Sequence, residues 1–270
     1  MDTADGEQRQ PSPLHLDRAR AGSFGDDAER YDRARPRYPR VLIDRLLVGH
    51  PRHVIDVGCG TGIVSRLLVD GGADVVGVEP DERMAAVARR HGLSVETETF
   101  ETWDPHGRVF DLLVSGQAWH WVDPTAGSAK AAEVVKPGGR VALFWNLGRP
   151  PGDLRERLDR VYRSVAPELV DTSVLLGHGA AERPGVAADA LRANGDWQHV
   201  ETETFPFDLD YRTAQWLDLL ETYSDHRALG PRRLSALLEE VAFEIDRDGG
   251  SFVMHYETTL VSATRARTTP

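Results

Sequence analysis

Lysine is almost absent from this chain. Lys130 and Lys136 are the only two among 270 residues, and arginine supplies the rest of the basic side chains. Lys and Arg together number 32 against 43 Asp and Glu, a formal net charge of −11. That sign repels a polyanionic backbone, so no nucleic-acid partner is expected. The arginine bias also deprives any single arginine of distinction. Cys59 is the one cysteine. It rules out an intramolecular disulfide and fits a reducing, cytoplasmic compartment. No apolar run approaches the roughly 18 residues of a membrane span, so no membrane partner is expected. The first fifteen residues are polar and carry prolines, unlike a signal peptide. No histidines stand at a metal-ligand spacing such as H-E-x-x-H, so no metal is expected.

What is present is concentrated in Val54-Ile55-Asp56-Val57-Gly58-Cys59-Gly60-Thr61-Gly62, followed by Val78-Glu79-Pro80. An apolar run ends in Asp56, three glycines follow at alternate positions, and a new apolar period begins. Glu79 closes the next apolar run, 21 residues beyond Gly58. This reads as strand, glycine turn, helix, and a second strand with a carboxylate at its tip. Glycines let a ligand approach the backbone, and the carboxylate can accept hydrogen bonds from both ribose hydroxyls. A dinucleotide fingerprint reads G-x-G-x-x-G, its third glycine packing a helix that faces a pyrophosphate. Here the third glycine comes one residue early, so a nicotinamide-dependent oxidoreductase would need a shifted glycine.

Along the chain, residues 24–47 carry two short helical patterns split at Pro36 and Pro39. Alternation then predicts strands at 53–57, 74–79, 94–97, 109–114 and 140–145, with helices at 62–70, 81–91 and about 124–135. The strands are short, β-branched and apolar on both faces, as buried parallel strands are. Right-handed crossovers place helices on both sides of the sheet. Lys136-Pro137-Gly138-Gly139 reads as a helix stop and a turn into the next strand. Residues 147–195 hold two further helical patterns. A strand at 199–207, helices at about 213–224 and 231–247, and a last strand at 252–263 complete the chain.

Four segments resemble a known family. They are Tyr31-Asp32-Arg33-Ala34-Arg35-Pro36-Arg37-Tyr38-Pro39, the D-x-G-x-G-x-G loop with Glu79, Phe110-Asp111-Leu112-Leu113-Val114-Ser115-Gly116-Gln117-Ala118-Trp119-His120-Trp121-Val122-Asp123, and the Lys-Pro-Gly-Gly turn leading to Phe144-Trp145-Asn146. Together they resemble the class I S-adenosylmethionine (SAM)-dependent methyltransferases. Within them the match is to the bacterial small-molecule enzymes of the type 11 group, near the trans-aconitate methyltransferase-like branch. The resemblance covers residues 24 to 265. It implies an α/β fold with a doubly wound, seven-stranded, mostly parallel sheet whose last strand inserts antiparallel. The implied organisation is a disordered tail at 1–22 and one domain at 23–270. That domain divides into a cap at 23–48, a cofactor core at 49–146, a lid and substrate region at 147–250, and a final antiparallel strand at 251–265. The implied reaction moves a methyl group from SAM to a small organic molecule, on oxygen, leaving S-adenosylhomocysteine. The protein is expected as a monomer or homodimer. Alternatives are methylation of nitrogen or carbon, or a SAM-binding protein that does not methylate.

By the same resemblance, Gly58, Gly60 and Gly62 cradle the cofactor, with Glu79 and Pro80 beside the ribose. Asp56 orients the loop and approaches the methionyl ammonium, or it is an ordinary helix-capping aspartate. Met84 lies against adenine, where a polarisable thioether suits a ring, or is plain core. Thr99, Phe100 and Glu101 meet the adenine edge, although Phe100 stands where a small residue is expected. Tyr31, Arg35 and Tyr38 cap the pocket and hold the methionyl carboxylate through charge-assisted hydrogen bonds, or lie on a solvated helix. Ser115 and Gln117 end the fourth strand beside the methionyl group. His120 is a general base near neutrality or an inert structural histidine. His226, in Tyr223-Ser224-Asp225-His226-Arg227, is a second base candidate. Trp119, Trp121, Trp145, Asn146 and Tyr223 are expected as substrate-pocket walls.

Overall fold

The computed structural model describes residues 14–17, 22–170 and 182–267. Its centre is a seven-stranded sheet: β1 His53–Val57, β2 Asp74–Val78, β3 Ser94–Glu96, β4 Phe110–Gly116, β5 Val135–Arg149, β6 Trp197–Arg212 and β7 Ser251–Arg265. The spatial order is β3-β2-β1-β4-β5-β7-β6. The first five strands pair in parallel, and β7 runs antiparallel to both β5 and β6. The strand order reverses between β1 and β4. The connections leave in opposite directions there, opening a crevice at the carboxyl ends.

Two-residue periodicity builds the core. Val54, Leu112, Val114, Ala142 and Phe144 pack on one face with Leu42, Leu46 and Leu68. Ile55, Leu113, Val141, Leu143 and Trp145 pack on the other with Trp103, Trp119 and Trp197. The helices among the described residues are α1 Ala28–Ala34, α2 Arg40–Leu46, α3 Ile63–Asp70, α4 Glu82–Arg90, α5 Pro124–Val134, α6 Gly152–Val165, α7 Arg183–Asn194, α8 Thr213–Leu220, α9 Ser224–Arg227 and α10 Pro231–Asp246. Caps fix their starts. Asp123 accepts from the amides of Thr125 and Ala126, with Pro124 in the first turn of α5. None of these helices is long and apolar enough to cross a membrane.

The structure departs from the sequence expectation in four places. The Lys-Pro-Gly-Gly segment is a bulge within β5 rather than a turn before it. Pairing passes from Phe110↔Val135 to Leu112↔Arg140, so residues 136–139 stand opposite Asp111 alone. Pro137 has no amide to donate, and Asp111 is held by Lys136 Nζ at 2.8 Å. The expected 147–250 lid is also divided. Ala187, Ala188 and Leu191 of α7 and Trp197 of β6 belong to the main core with Ile55 and Leu143. α6, α8 and α10 share a separate core around Leu158, Trp216 and Leu237. β6 and β7 run longer than expected as an antiparallel pair. Cross-strand rings support it, Phe207 stacked on Tyr256 at 5.2 Å and Tyr211 on Phe252 at 5.9 Å. Finally, residues 14–17 of the expected tail form a turn with His15 3.5 Å from Asp123. Residues 1–13 and 18–21 of that tail lie outside the described residues.

Candidate active site

The glycine loop joins β1 to α3 at the crevice. Gly58, Gly60 and Gly62 all take left-handed φ, at +66°, +57° and +83°, which side chains with a Cβ rarely adopt. The loop is tied to β2 by the Gly58 amide donating to the Val78 carbonyl at 2.8 Å. Gly60 also donates its amide to Glu79 Oε2 at 2.9 Å, and Asp81 donates to Oε1 at 3.0 Å. The carboxylate at the β2 tip therefore braces the loop as well as facing the cleft. Burial pushes the Glu79 carboxyl up to about 7, against the pull of those two amides. Cys59 tucks under the loop. A Cβ at Gly77 would lie 2.6 Å from its Sγ, so the absence of a side chain at 77 makes the room. Burial and the nearby Asp56 and Glu79 charges raise its thiol well above the ordinary range.

Two adjoining cavities meet at this loop. The smaller, about 680 Å³ including the space open to solvent, is bordered by Tyr31, Arg35, Tyr38, Asp56, Gln117 and Asn146 among others. Three of these carry buried polar atoms without partners: Asp56 Oδ1, Arg35 Nε and Asn146 Nδ2. The rest of each group is engaged. Ser65 Oγ donates to Asp56 Oδ2 at 2.6 Å, Thr258 Oγ1 to Asn146 Oδ1 at 2.6 Å, and Arg35 to the Thr222 carbonyl at 3.0 Å. No carboxylate pairs with Arg35 among the described residues. Its guanidinium lies over Tyr223 at 4.0 Å and Tyr31 at 4.7 Å. Burial raises the Asp56 carboxyl to about 6, so it is mostly ionised at neutrality. Leaving such atoms unpaired costs about 1–3 kcal/mol each. One anionic acceptor, one cationic donor and one neutral donor around a single cavity complement the ammonium and carboxylate of a free α-amino acid. Tyr38 closes the wall, edge-on to Phe144 at 4.9 Å.

The larger cavity, about 1190 Å³ on the same measure, continues from Gly58 and Gly60 past Glu79, Pro80 and Met84. Thr99, Phe100 and Glu101 form its far wall, and Gln117, His120, Trp121 and Tyr223 its near one. Gln117 borders both cavities and holds a left-handed φ of +59°. Its amide donates to the Phe144 carbonyl at 2.8 Å and its side chain to the Asn146 carbonyl at 3.1 Å.

Five expected residues stand outside both linings. Gly62 packs α3 against Leu93 and Ala88. Ser115 is fully buried and donates to the Val57 carbonyl at 2.8 Å. Trp119 is core, 5.8 Å from the Phe100 ring. Trp145 is core as well, because successive strand residues point to opposite faces and Asn146 takes the cleft side. His226 is 1% exposed, with Nδ1 2.8 Å from Asp225 and Nε2 2.6 Å from the Tyr162 hydroxyl. With both nitrogens committed inside the fold, it is not a base facing the cleft.

Sequence reasoning missed Phe24, Ala118, Arg183 and Asp225 on the larger cavity and Tyr256 on the smaller. Phe24 packs edge-on to both Tyr31 and Trp121, at 6.0 and 5.9 Å, roofing the cleft. Asp225 had a signal, since it adjoins His226 in the same polar stretch.

A family model described as a methyltransferase domain matches residues 55–143. The chain is 30% identical over 268 residues to nocamycin O-methyltransferase of Saccharothrix syringae, covering 86% of this chain and 93% of that protein. It is 40% identical over 129 residues to an uncharacterized methyltransferase of Mycobacterium bovis, covering 46% of this chain, and it spans about half (52%) of that relative's length. A solved structure from Anaeromyxobacter dehalogenans, assigned as a type II methyltransferase, superposes with a TM-score of 0.65 at 20% identity. That match covers 86% of this chain and 99% of the other.

Proposed function

The chain belongs to the methyltransferase family, and on that premise we propose that it transfers a methyl group from SAM to an oxygen atom of a small organic molecule. The observation that carries this reading is the trio of unpartnered buried atoms, Asp56 Oδ1, Arg35 Nε and Asn146 Nδ2, one cavity away from Glu79. A ligand that joins an amino acid to a nucleoside satisfies both cavities at once, and SAM is such a ligand. Asp56 takes the ammonium. Arg35 and Asn146 take the carboxylate. Glu79 accepts from the ribose hydroxyls, and Met84 and Phe100 enclose the adenine with Thr99 and Glu101 at its edge. When bound, SAM supplies a methyl group already activated on a sulfonium. The protein then has to position a nucleophile about 3 Å from that methyl and keep water out. The remaining space by His120, Trp121 and Tyr223 is suited to the acceptor. The oxygen target is supported by similarity to nocamycin O-methyltransferase and to a ubiquinone biosynthesis O-methyltransferase of Bordetella avium.

Calorimetry with SAM and S-adenosylhomocysteine, joined to a small-molecule screen for S-adenosylhomocysteine release, tests the proposal. Binding of both ligands and release with at least one acceptor are expected. Failure to bind either ligand overturns the whole reading. Binding without release from any acceptor would favour a SAM-binding protein that does not methylate.

A further inference from the structure

Asp32 stands between Tyr31 and Arg35 on α1, yet it lines neither cavity. Its carboxylate reaches the glycine loop instead. Thr61, between Gly60 and Gly62, donates its hydroxyl to Asp32 Oδ1 at 2.8 Å, and Arg66 of α3 donates Nη2 to the same oxygen at 2.7 Å. The Arg37 guanidinium lies 3.7 Å from Oδ1, and His91 Nε2 lies 3.4 Å from Oδ2. The Asp32 side chain is 15% exposed and Thr61 is 1% exposed. Burial pushes the Asp32 carboxyl up. The hydrogen bonds from Arg66 and Thr61 and the charges of Arg66 and Arg37 outweigh it and hold the group below the usual aspartate value. The same turn of chain carries the cap residues that face the ligand site. The Arg35 amide donates to the Tyr31 carbonyl at 3.1 Å, closing residues 31–35 into one turn. Arg37 Nη2 donates to the Asp32 carbonyl at 2.8 Å. Tyr31 and Arg35 border both cavities, while Arg30 and Arg33 point to Asp218 of α8.

We infer that Asp32 is a positioning residue: by gripping Thr61 and Arg66 it sets the distance of Arg35 from the glycine loop, and with it the affinity for the amino-acid end of the cofactor. The inference rests on the SAM reading and deepens it, because there Arg35 takes the methionyl carboxylate. Asp32 itself touches no ligand atom. A charge-assisted N–H···O bond needs about 2.7–2.9 Å between heavy atoms, so a cap helix that shifts on the loop forfeits it. The loop is then gripped at two consecutive residues by two acids. Glu79 holds the Gly60 amide from the β2 tip, and Asp32 holds the Thr61 hydroxyl from the cap. Arg66 and Arg37 offset the Asp32 charge, which reduces its repulsion of a ligand carboxylate.

The test compares two ligands by calorimetry on the full chain. S-adenosylhomocysteine carries the amino acid, and 5′-methylthioadenosine keeps the nucleoside and sulfur without it. Asp32→Ala should weaken S-adenosylhomocysteine by roughly 5- to 50-fold and 5′-methylthioadenosine by less than about 3-fold. Equal losses for the two ligands, or no loss with the first, overturn the inference. Both short bonds meet Oδ1, so Asp32→Asn, which keeps one oxygen, should recover most of the affinity. A loss as large as that of alanine overturns the grip. In an Arg35→Ala background, adding Asp32→Ala should cost less than about 2-fold, because Asp32 acts through Arg35. Losses that multiply in full overturn it. Should Asp32→Ala fail to fold, Thr61→Val removes the same bond from the loop side. The same preference between ligands is expected, and its absence overturns the inference. Hydrogen exchange of the ligand-free protein provides an independent reading. Amides of residues 28–35 should exchange faster in Asp32→Ala, and unchanged rates overturn the grip. Failure of the native protein to bind either ligand would instead sink the SAM reading, and the exchange rates would still report whether Asp32 holds α1.

Discussion

On one side of the cleft, Asp56, Glu79 and the glycine loop hang from parallel strands whose side chains are almost wholly buried. On the other, residues 22–35 are held to residues 213–227 by ion pairs that range from half-buried to exposed. Arg30 reaches Asp218 at 3.1 Å and also pairs with Glu221, Arg33 pairs with Asp218 at 3.2 Å, and Arg227 pairs with Asp26. Pairs of this kind contribute about 0–1 kcal/mol each and weaken in salt. The rings of Phe24, Tyr31 and Tyr223 around Arg35, and the Arg35 bond to the Thr222 carbonyl, add to the contact. The sheet side keeps its polar atoms in place before any ligand arrives, while the cap side closes through contacts that are individually weak. An enzyme that must admit and release both cofactor and acceptor gains from that division, since opening costs little and the recognition geometry survives it.

The contrast can be broken most severely at Gly62. Gly62→Val adds a side chain at φ +83° and into the space of Leu93. Strain and overpacking together should destabilise the protein by roughly 2–5 kcal/mol, read from the urea midpoint. A shift below about 0.5 kcal/mol would mean that the sheet side is more pliable than described. Glu79→Ala comes next. It leaves ribose hydroxyls and the Gly60 and Asp81 amides short of an acceptor and should weaken SAM binding by about 1–3 kcal/mol in calorimetry. Unchanged affinity would remove Glu79 from the cofactor site.

Acidity should act through the same two carboxyls. Glu79 is raised from 4.5 to about 7 and Asp56 from 3.8 to about 6, both by burial. SAM needs each of them ionised, so its affinity should rise with pH, roughly tenfold between pH 6 and 7.5. Stability should move the other way. Both values lie above those of the unfolded chain, so their contribution is fully present below about pH 4 and is lost as pH rises through about 6 and then about 7. A flat affinity profile would show that neither carboxyl changes charge on binding. The smallest effect belongs to the cap. Arg30→Ala, or about 0.5 M salt, should change global stability by less than about 1 kcal/mol yet speed SAM release a few-fold in stopped-flow traces. Slower release would contradict the ion-paired closure.

The sheet and the glycine loop were legible because their signals are local: two-residue alternation, glycines at fixed offsets, an acid at a strand tip. The cavity walls were harder. Phe24, Ala118, Arg183 and Asp225 come together from four distant stretches of chain, and no period links them. Trp145 shows a subtler failure. Listing it beside Asn146 as a pocket wall ignored the alternation used for the strand itself, which sends the two side chains to opposite faces. The β5 bulge was hidden because a Lys-Pro-Gly-Gly run looks the same whether the chain turns or merely swells against one partner residue. The assignment of α7 to the lid failed for want of distance information. Its apolar residues fit either core, and only the fold puts Ala187 and Leu191 on the sheet.

The fit of Cys59 against Gly77 turns the one thiol of this chain into a clock. Thiols are alkylated as thiolates, and here the thiolate is disfavoured while the sulfur is sealed beneath the loop, with the residue 7% exposed. Reaction with iodoacetamide must wait until the loop lifts away from β2. The labelling rate therefore measures how often that corner of the sheet opens. Because each molecule can gain one label at most, a mass spectrum taken over time separates the molecules that have opened from those that have not.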